Sequence, residues 1–393
     1  MKLDKRLWVL VFICVINSLG FGIIVPLLYG YGKKFGINQE SLGLLTAAYS
    51  IAQFFATPVL GGLSDKYGRK PLLAISLIGT CISFIMFAEA RGVIMLFAAR
   101  ILDGLTGGNI SVAQSIISDT STSADRAKRF GILSSAFAFG FVIGPVAGGL
   151  LSKFGTQVPF FFAAGISFLG VLATIFVLEE SNPGGKKKKA EDNTSFIKAL
   201  VTTLKLPVIG TAIFIGFLLT MAQFNMIVGF QTFSVDVLKL NTTQMGLLYT
   251  GFAVMGIIMQ MCVPVITKMI SSRTRILLLS TMLCFAAMFL VGFTAAAITF
   301  TVFLYIYGLF NGLRNPMLNA IIADNNTKQG QGKVLGVNQS YASIGQTLGP
   351  ITAGLISAIS VHAVFFLSAF YILIAFLFSF RLCAKEKAST IAA

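Results

Sequence analysis

Long apolar stretches broken by short polar ones run along almost the whole chain. Twelve of them are long enough to cross a bilayer: near 7–31, 41–63, 72–90, 93–117, 130–152, 158–178, 208–231, 244–266, 276–294, 298–322, 334–357 and 362–381. A hydrocarbon core about 30 Å thick needs roughly 20 apolar residues of helix to span it. Inside it every backbone polar group must be bonded within the protein, so runs of this length predict helices. The two-residue alternation of a membrane β-barrel is absent. The pattern therefore predicts an all-α integral membrane protein with 12 transmembrane helices.

The longest polar stretch, 179–207, holds Ser181-Asn182-Pro183-Gly184-Gly185 followed by four lysines, Lys186 to Lys189. It reads as a linker between an N-terminal six-helix bundle, 1–178, and a C-terminal bundle with a short tail, 208–393. Orientation follows from the bases. With the N-terminus inside, 23 of the 30 Lys and Arg residues fall in inside segments, among them Lys5, Arg6, Lys66, Lys70, Arg129, Lys268, Arg275 and Arg381. Only Lys33, Lys34, Arg91, Lys153 and Lys239 fall outside, and Arg100 and Arg314 lie within runs. The positive-inside rule then places both termini in the cytoplasm.

Composition agrees. Of the 393 residues 56% are hydrophobic and 11% charged, against roughly 45–50% and about 25% in soluble domains. That excludes a soluble enzyme. The net charge of +16 is mostly a topology signal, and with no water-facing basic domain it does not imply nucleic acid. The first run is too long for a removed signal peptide and lacks a small-residue cleavage site. Cys14, Cys81, Cys262, Cys284 and Cys383 show no pairing or ligand spacing, so neither disulfides, a metal site nor a cofactor is expected.

The halves repeat each other. At an offset of 205, Asp119 falls on Asp324 and Gly131 on Gly336, while Gly140, Gly144, Pro145 and Gly149 fall on Gly345, Gly349, Pro350 and Gly354. At 203, Gly43-Leu44-Leu45 falls on Gly246-Leu247-Leu248. Parallel six-helix repeats build one large class of secondary transporters, with the substrate site at the midplane between them.

Between the second and third runs lies Gly61-Gly62-Leu63-Ser64-Asp65-Lys66-Tyr67-Gly68-Arg69-Lys70-Pro71. It resembles the signature loop of the major facilitator superfamily, Gly-x-x-x-Asp-Arg/Lys-x-Gly-Arg-Arg/Lys, at every position. The resemblance implies a gating motif in which Asp65 steadies a neighbouring helix end and Arg69 pairs with an acid at the end of the fourth helix, here Asp119. A purely topological role for these charges is the alternative. The second half has no such loop: Lys268 or Ile270 stands where the acid would be, with Arg273 and Arg275 nearby.

The fifth run carries Gly140-Phe-Val-Ile-Gly144-Pro145-Val-Ala-Gly148-Gly149. Small residues let helices approach closely and proline removes a hydrogen bond and bends the helix. The complete pattern resembles the helix 5 motif of the superfamily's antiporters, which implies export by exchange. Arg100-Ile-Leu-Asp103-Gly104 in the fourth run resembles the family's Arg-x-x-x-Gly motif, whose arginine is linked to proton transfer. Arg100 and Asp103 are i and i+3 and share a face. Two readings stand: a self-neutralising structural pair, or a proton site at Asp103 that releases Arg100 when protonated. Arg314 in the tenth run has no acid within a turn. Either it lines the cavity and meets an anionic or electron-rich substrate group, or it snorkels to the membrane face. Further cavity candidates are Asn17, Gln53, Asn109, Gln223, Asn225, Gln260, Asn311 and Asn338. His362 sits at an outer loop, and no Ser or Cys has an intramembrane His partner that would support nucleophilic catalysis.

Leu19-Gly20-Phe21-Gly22-Ile23-Ile24-Val25-Pro26, Ser118-Asp119-Thr120 and the helix 5 motif resemble the twelve-helix drug:proton antiporters, in particular the tetracycline exporters. Where those carry acids in helices 1 and 3, this chain has Asn17 and Ser83, and Cys284 stands in the corresponding region of helix 9. The departures argue against a metal-chelated tetracycline. What the resemblance implies is a proton-coupled exporter of a drug-like or amphipathic small molecule, monomeric, in a bacterial inner membrane, with the substrate, protons and lipid as its partners. A facilitator or an uncoupled exporter of a sugar, siderophore or lipid-like compound is the alternative.

Overall fold

The computed structural model describes residues 5–121, 123–182, 196–325 and 331–391, and among these no strand occurs. Twelve helices are long and apolar enough to span a membrane: α1 (Lys5–Lys33), α2 (Gln39–Tyr67), α3 (Arg69–Ala88), α4 (Val93–Thr120), α5 (Lys128–Phe154), α6 (Val158–Phe176), α7 (Ile209–Val237), α8 (Thr242–Met261), α9 (Arg273–Val291), α10 (Ala297–Asp324), α11 (Val334–Ile359) and α12 (Val361–Cys383). Each expected run appears, with ends shifted by a few residues. Of the expected linker, 183–195 lies outside the described residues, and Phe196–Leu204 forms a short helix.

Two of the helices expected to be continuous break at glycines. α4 runs Val93–Thr106, turns at Gly107-Gly108 and resumes as Asn109–Thr120. α10 stops at Asn311, turns through Gly312 and resumes at Arg314. Glycine is the weakest non-proline helix former, and Gly107 and Gly312 lie at the same 205-residue offset that relates the halves. Interrupted helices are common where a transporter's backbone lines a cavity.

The chain divides into two compact units. One comprises Met1–Asn38, Ala48–Glu191 and Leu240–Thr250; the other comprises Gln39–Ala47, Asp192–Lys239 and Gly251–Ala393. The first turns of α2 group with the second unit, and those of α8 with the first. Each unit repeats one set of packings. α1 lies along α5 and α6 as α7 lies along α11 and α12, and α3 meets α4 and α6 as α9 meets α10 and α12.

Close approach is what the repeated glycines of α5 and α11 supply, Gly131 and Gly336 aside. A Cβ on Gly144 would come within 2.6 Å of Leu19 O and 2.8 Å of Gly22 Cα; one on Gly349 would come within 2.6 Å of Met221 O and 3.1 Å of Asn225 N. The exchanged turns follow suit, with Gly43 backbone-to-backbone against Pro350 and Gly354, and Gly246 against Pro145 and Gly149. The duplication inferred from the sequence is thus repeated in its contacts. The first unit's apolar core gathers Leu10, Ile13, Leu73, Leu77, Val112 and Ile116. Ile94, Phe154, Phe176, Ile298 and Ile359 stand outward, as residues in contact with lipid do.

Candidate functional site

Within the first unit, α1, α2, α3 and α4 bring polar groups together at membrane depth. Arg100 is buried, and its Nη1 lies 3.9 Å from Asp103 Oδ2. That length fits an ion pair and exceeds a direct hydrogen bond. The guanidinium sits over the ring of Tyr49, 4.9 Å from its centroid. Tyr49 Oη accepts from Gln53 Nε2 at 3.0 Å, and the same amide reaches Gly107 O, at the break in α4, at 3.0 Å. Asn17 Nδ2 donates to Asn109 Oδ1 at 3.0 Å. Five expected residues, Arg100, Asp103, Asn17, Asn109 and Gln53, thus share one region, and Tyr49 joins them. The sequence offered one signal for Tyr49, its place four residues before Gln53.

The cluster is incompletely satisfied. Arg100 Nε and Nη1, Asn109 Nδ2 and Thr80 Oγ1 find no hydrogen-bond partner among the described residues. An unsatisfied buried donor costs about 1–3 kcal/mol. Asn17, Tyr49, Thr80, Arg100 and Asp103 surround a cavity of about 10 Å³, close to the room one water needs. Tight packing fixes these positions: a Cβ on Gly104 would meet Ala52 Cβ at 2.7 Å, so α4 lies directly on α2.

At the end of α2 the chain reverses through Gly68, whose φ of 102° is a conformation that favours glycine. Arg69 then turns inward. Its Nε donates to Asp119 Oδ2 at 3.0 Å, its Nη1 to Ser64 Oγ at 2.6 Å, and its Nη2 pairs with Asp65 Oδ1 at 2.5 Å. Arg69 is thus paired with Asp119, at the end of α4. The carboxylate of Asp65 faces Arg69 one turn on. The backbone at the start of α3 is held by Glu180, which the sequence did not single out. Glu180 accepts from the backbone N–H groups of Arg69 at 2.9 Å and Lys70 at 3.0 Å, and so caps α3. Burial pushes its carboxyl up, but the N–H donors of Asn182, Arg69, Lys70 and Ser181 outweigh that and hold it below the ordinary 4.5. Asn182 Nδ2 also donates to Asp65 O at 3.1 Å.

The profile of the Major Facilitator Superfamily matches residues 10–342 and 272–392. The chain belongs to that superfamily. It is 28% identical over 365 residues to multidrug resistance protein 2 of Bacillus subtilis, covering 91% of this chain and 90% of the relative. It is 27% identical over 367 residues to the quinolone resistance protein NorA of Staphylococcus aureus, with 92% of each chain covered. To the class C tetracycline resistance protein of Escherichia coli it is 37% identical over 191 residues, 48% of each chain. Among solved structures, a bacterial homologue of the human lysosomal transporter Spinster superposes with a TM-score of 0.80 at 14% identity, covering 97% of this chain and 98% of that one. The superfamily's relatives here are transporters, which agrees with the absence of an expected catalytic centre in the sequence.

The remaining superfamily positions are distributed as follows. On α5, Gly140 and Gly148 lie against α1 as Gly144 does, and a Cβ on Gly149 would meet Thr242 O at 2.9 Å. Gly149 O accepts from Thr243 Oγ1 at 2.7 Å. Pro145 packs its Cδ on Gly22. Gly61 has open space around it. In the second unit Arg314 opens the resumed segment of α10. Its Nη1 donates to Leu219 O at 3.0 Å and its Nε to Asn315 Oδ1 at 3.2 Å. Asn338 lies 3.5 Å from Asn319. Asn311 and Gln223 are half-buried, and Gln223 Oε1 finds no partner among the described residues. Two cavity candidates have other surroundings. Gln260 is exposed. Asn225 is fully buried, 2.7 Å from Ser368 Oγ and 3.2 Å from Thr352 Oγ1, so its amide ties α7 to α11 and α12.

Proposed function

We propose that the chain is a proton-coupled exporter that carries drug-like or amphipathic small molecules out of a bacterial cell across its inner membrane, with both termini in the cytoplasm. The observation that carries this reading is the Arg100–Asp103–Tyr49 cluster, whose cation is buried and short of partners beside a carboxyl. The names of the relatives, a multidrug, a quinolone and a tetracycline resistance protein, support a drug-like cargo.

The coupling follows from electrostatics. When Asp103 is ionised it is the acid that faces Arg100, and the pair nearly neutralises itself. When a proton binds Asp103, Arg100 keeps its charge in a poor solvent and must find other acceptors, such as water, carbonyls or an electron-rich group of the cargo. A buried cation that loses its counter-charge is destabilised by several kcal/mol, enough to bias two conformations of a transporter. The protonated and ionised states then favour different packings, and proton entry resets the carrier after release of cargo. Arg314, with two amides near it, supplies a second cationic position in the other unit for an anionic or electron-rich substrate group. The scheme takes the chain to work as a monomer.

Reconstituted protein gives the test. Asp103→Asn is expected to abolish substrate accumulation driven by a proton gradient while leaving substrate binding within about threefold of the native value, less than one uncharged hydrogen bond is worth. Undiminished accumulation by the variant would overturn the assignment. Accumulation by the native protein with no proton flux would favour the uncoupled reading.

A further inference from the structure

A groove outside the transport machinery marks the membrane face that bears the N-terminus. On α1, Lys5, Trp8, Val9 and Phe12 follow the spacing of one helix face. Opposite them stand Ala173 and Val177, one turn apart at the end of α6. Together they line an open, shallow groove of about 300 Å³ whose walls are almost wholly carbon, save Lys5 at its mouth. From Lys5 to Phe12 the groove follows α1 for about 10 Å at 1.5 Å per residue, which is the outer part of one leaflet's acyl region.

Its mouth is positive. Arg6 is engaged by Glu179 across to the end of α6, whereas Lys5 makes no ion pair among the described residues. Among the described residues, no acid lines the groove. Trp8, 55% exposed, sits one turn deeper, at the level where tryptophan prefers the boundary between headgroups and acyl chains. The small side chain of Ala173 leaves the depression that a larger residue would close.

We propose that this groove is a binding site for an anionic phospholipid, with the first methylenes of an acyl chain between α1 and α6 and the headgroup phosphate and its negative charge at Lys5. Basic pockets between helices recognise headgroups in this way. The apolar walls alone would accept any lipid; Lys5 is what selects charge. The site is separate from Arg100 and Asp103, and the proposal stands whether or not transport is proton-coupled.

Trp8 is the single tryptophan of the sequence, so its fluorescence reports on this groove alone. The full chain is reconstituted in bilayers in which phosphatidylglycerol or phosphatidylcholine, brominated on the upper part of the acyl chain, replaces a rising share of unlabelled lipid. Brominated phosphatidylglycerol is expected to quench with an apparent affinity about fivefold higher than brominated phosphatidylcholine, the increment one lysine gives near a membrane surface. Lys5→Gln is expected to bring the two lipids together, and Ala173→Phe to lower quenching by both while thermal unfolding stays cooperative. Equal quenching by the two lipids in the native protein would show ordinary boundary lipid and overturn the proposal. A preference that survives Lys5→Gln would overturn it as well.

Discussion

The two halves agree in packing and differ in charge. Gly144 and Gly349 lie at the same register and meet the backbone of α1 and α7 in the same way. α4 and α10 break at the same register too, at Gly107 and Gly312. At membrane depth the resemblance ends: the first half places Arg100 beside Asp103 and Tyr49, the second places Arg314 against a backbone carbonyl and an asparagine. At the membrane face both halves keep an arginine on an acid, Arg69 on Asp119 and Arg273 on Asp324. Only the first adds Asp65, Ser64 and Glu180 around it. Duplication has therefore preserved shape, which many backbone contacts fix at once. Charge has diverged, because one or two substitutions suffice to move it.

The largest effect tests the shared part. Gly144→Val and Gly349→Val each force a branched side chain into a backbone that has no room to give, and each should destabilise by about 3 kcal/mol, the upper range for overpacking. Thermal unfolding in detergent should show two similar losses. A large loss from one and none from the other would break the equivalence of the halves.

Next comes the membrane-face arginine, where the halves should part. Arg69→Ala strands Asp119, whose side chain is 17% exposed, and removes three bonds at once; about 2 kcal/mol is expected, less than for a fully buried pair. Arg273→Ala breaks a pair whose side chains are 41% and 56% exposed, which is worth about 0–1 kcal/mol. Equal losses in the same unfolding assay would mean that the extra partners of Arg69 contribute nothing.

How much of this was legible follows from the same division. Apolar length, the bias of bases and the glycine repeat are written in the chain itself, so twelve helices, two halves and the α5 glycines could be read directly. Arg100 with Asp103 was visible because i and i+3 share a face on any helix. Tyr49 was hidden because its role depends on which face of α2 meets α4, decided by Gly104, and only its spacing from Gln53 marks it. Glu180 was hidden for a related reason: it acts on residues 111 positions away, and an acid at a helix exit looks like any solvated charge. The break in α4 escaped because glycines are common in membrane helices, and only the recurrence of Gly107 as Gly312 in α10 gives it meaning. Asn225 read as a cavity residue since sequence shows polarity, not what satisfies it.

The next effect separates the roles of the two buried arginines. Arg314→Gln removes a charge-assisted bond and should weaken substrate binding about twentyfold, within the 1.5–3 kcal/mol of such bonds, while proton flux per substrate carried stays unchanged. Equilibrium binding and flux ratios in proteoliposomes read the two separately. A changed flux ratio would place part of the coupling in the second half and erase the asymmetry drawn between the halves.

The smallest effect concerns the cap that the first half alone possesses. Glu180→Gln keeps the shape but replaces a carboxylate shared by two backbone N–H groups with a neutral amide, a loss of about 1 kcal/mol, the usual worth of a helix cap. Its pH dependence identifies it. The folded protein holds Glu180 below its ordinary 4.5, so the cap's contribution is complete above that value and is lost as the pH falls through the lower folded one. Stability of the native protein should therefore decline toward that of Glu180→Gln on acidification, and the two curves should meet where the carboxylate takes up its proton. Curves that stay parallel across that range would show that Glu180 holds α3 by shape alone. The charge at the membrane face would then reduce to the arginine–acid pair that both halves share.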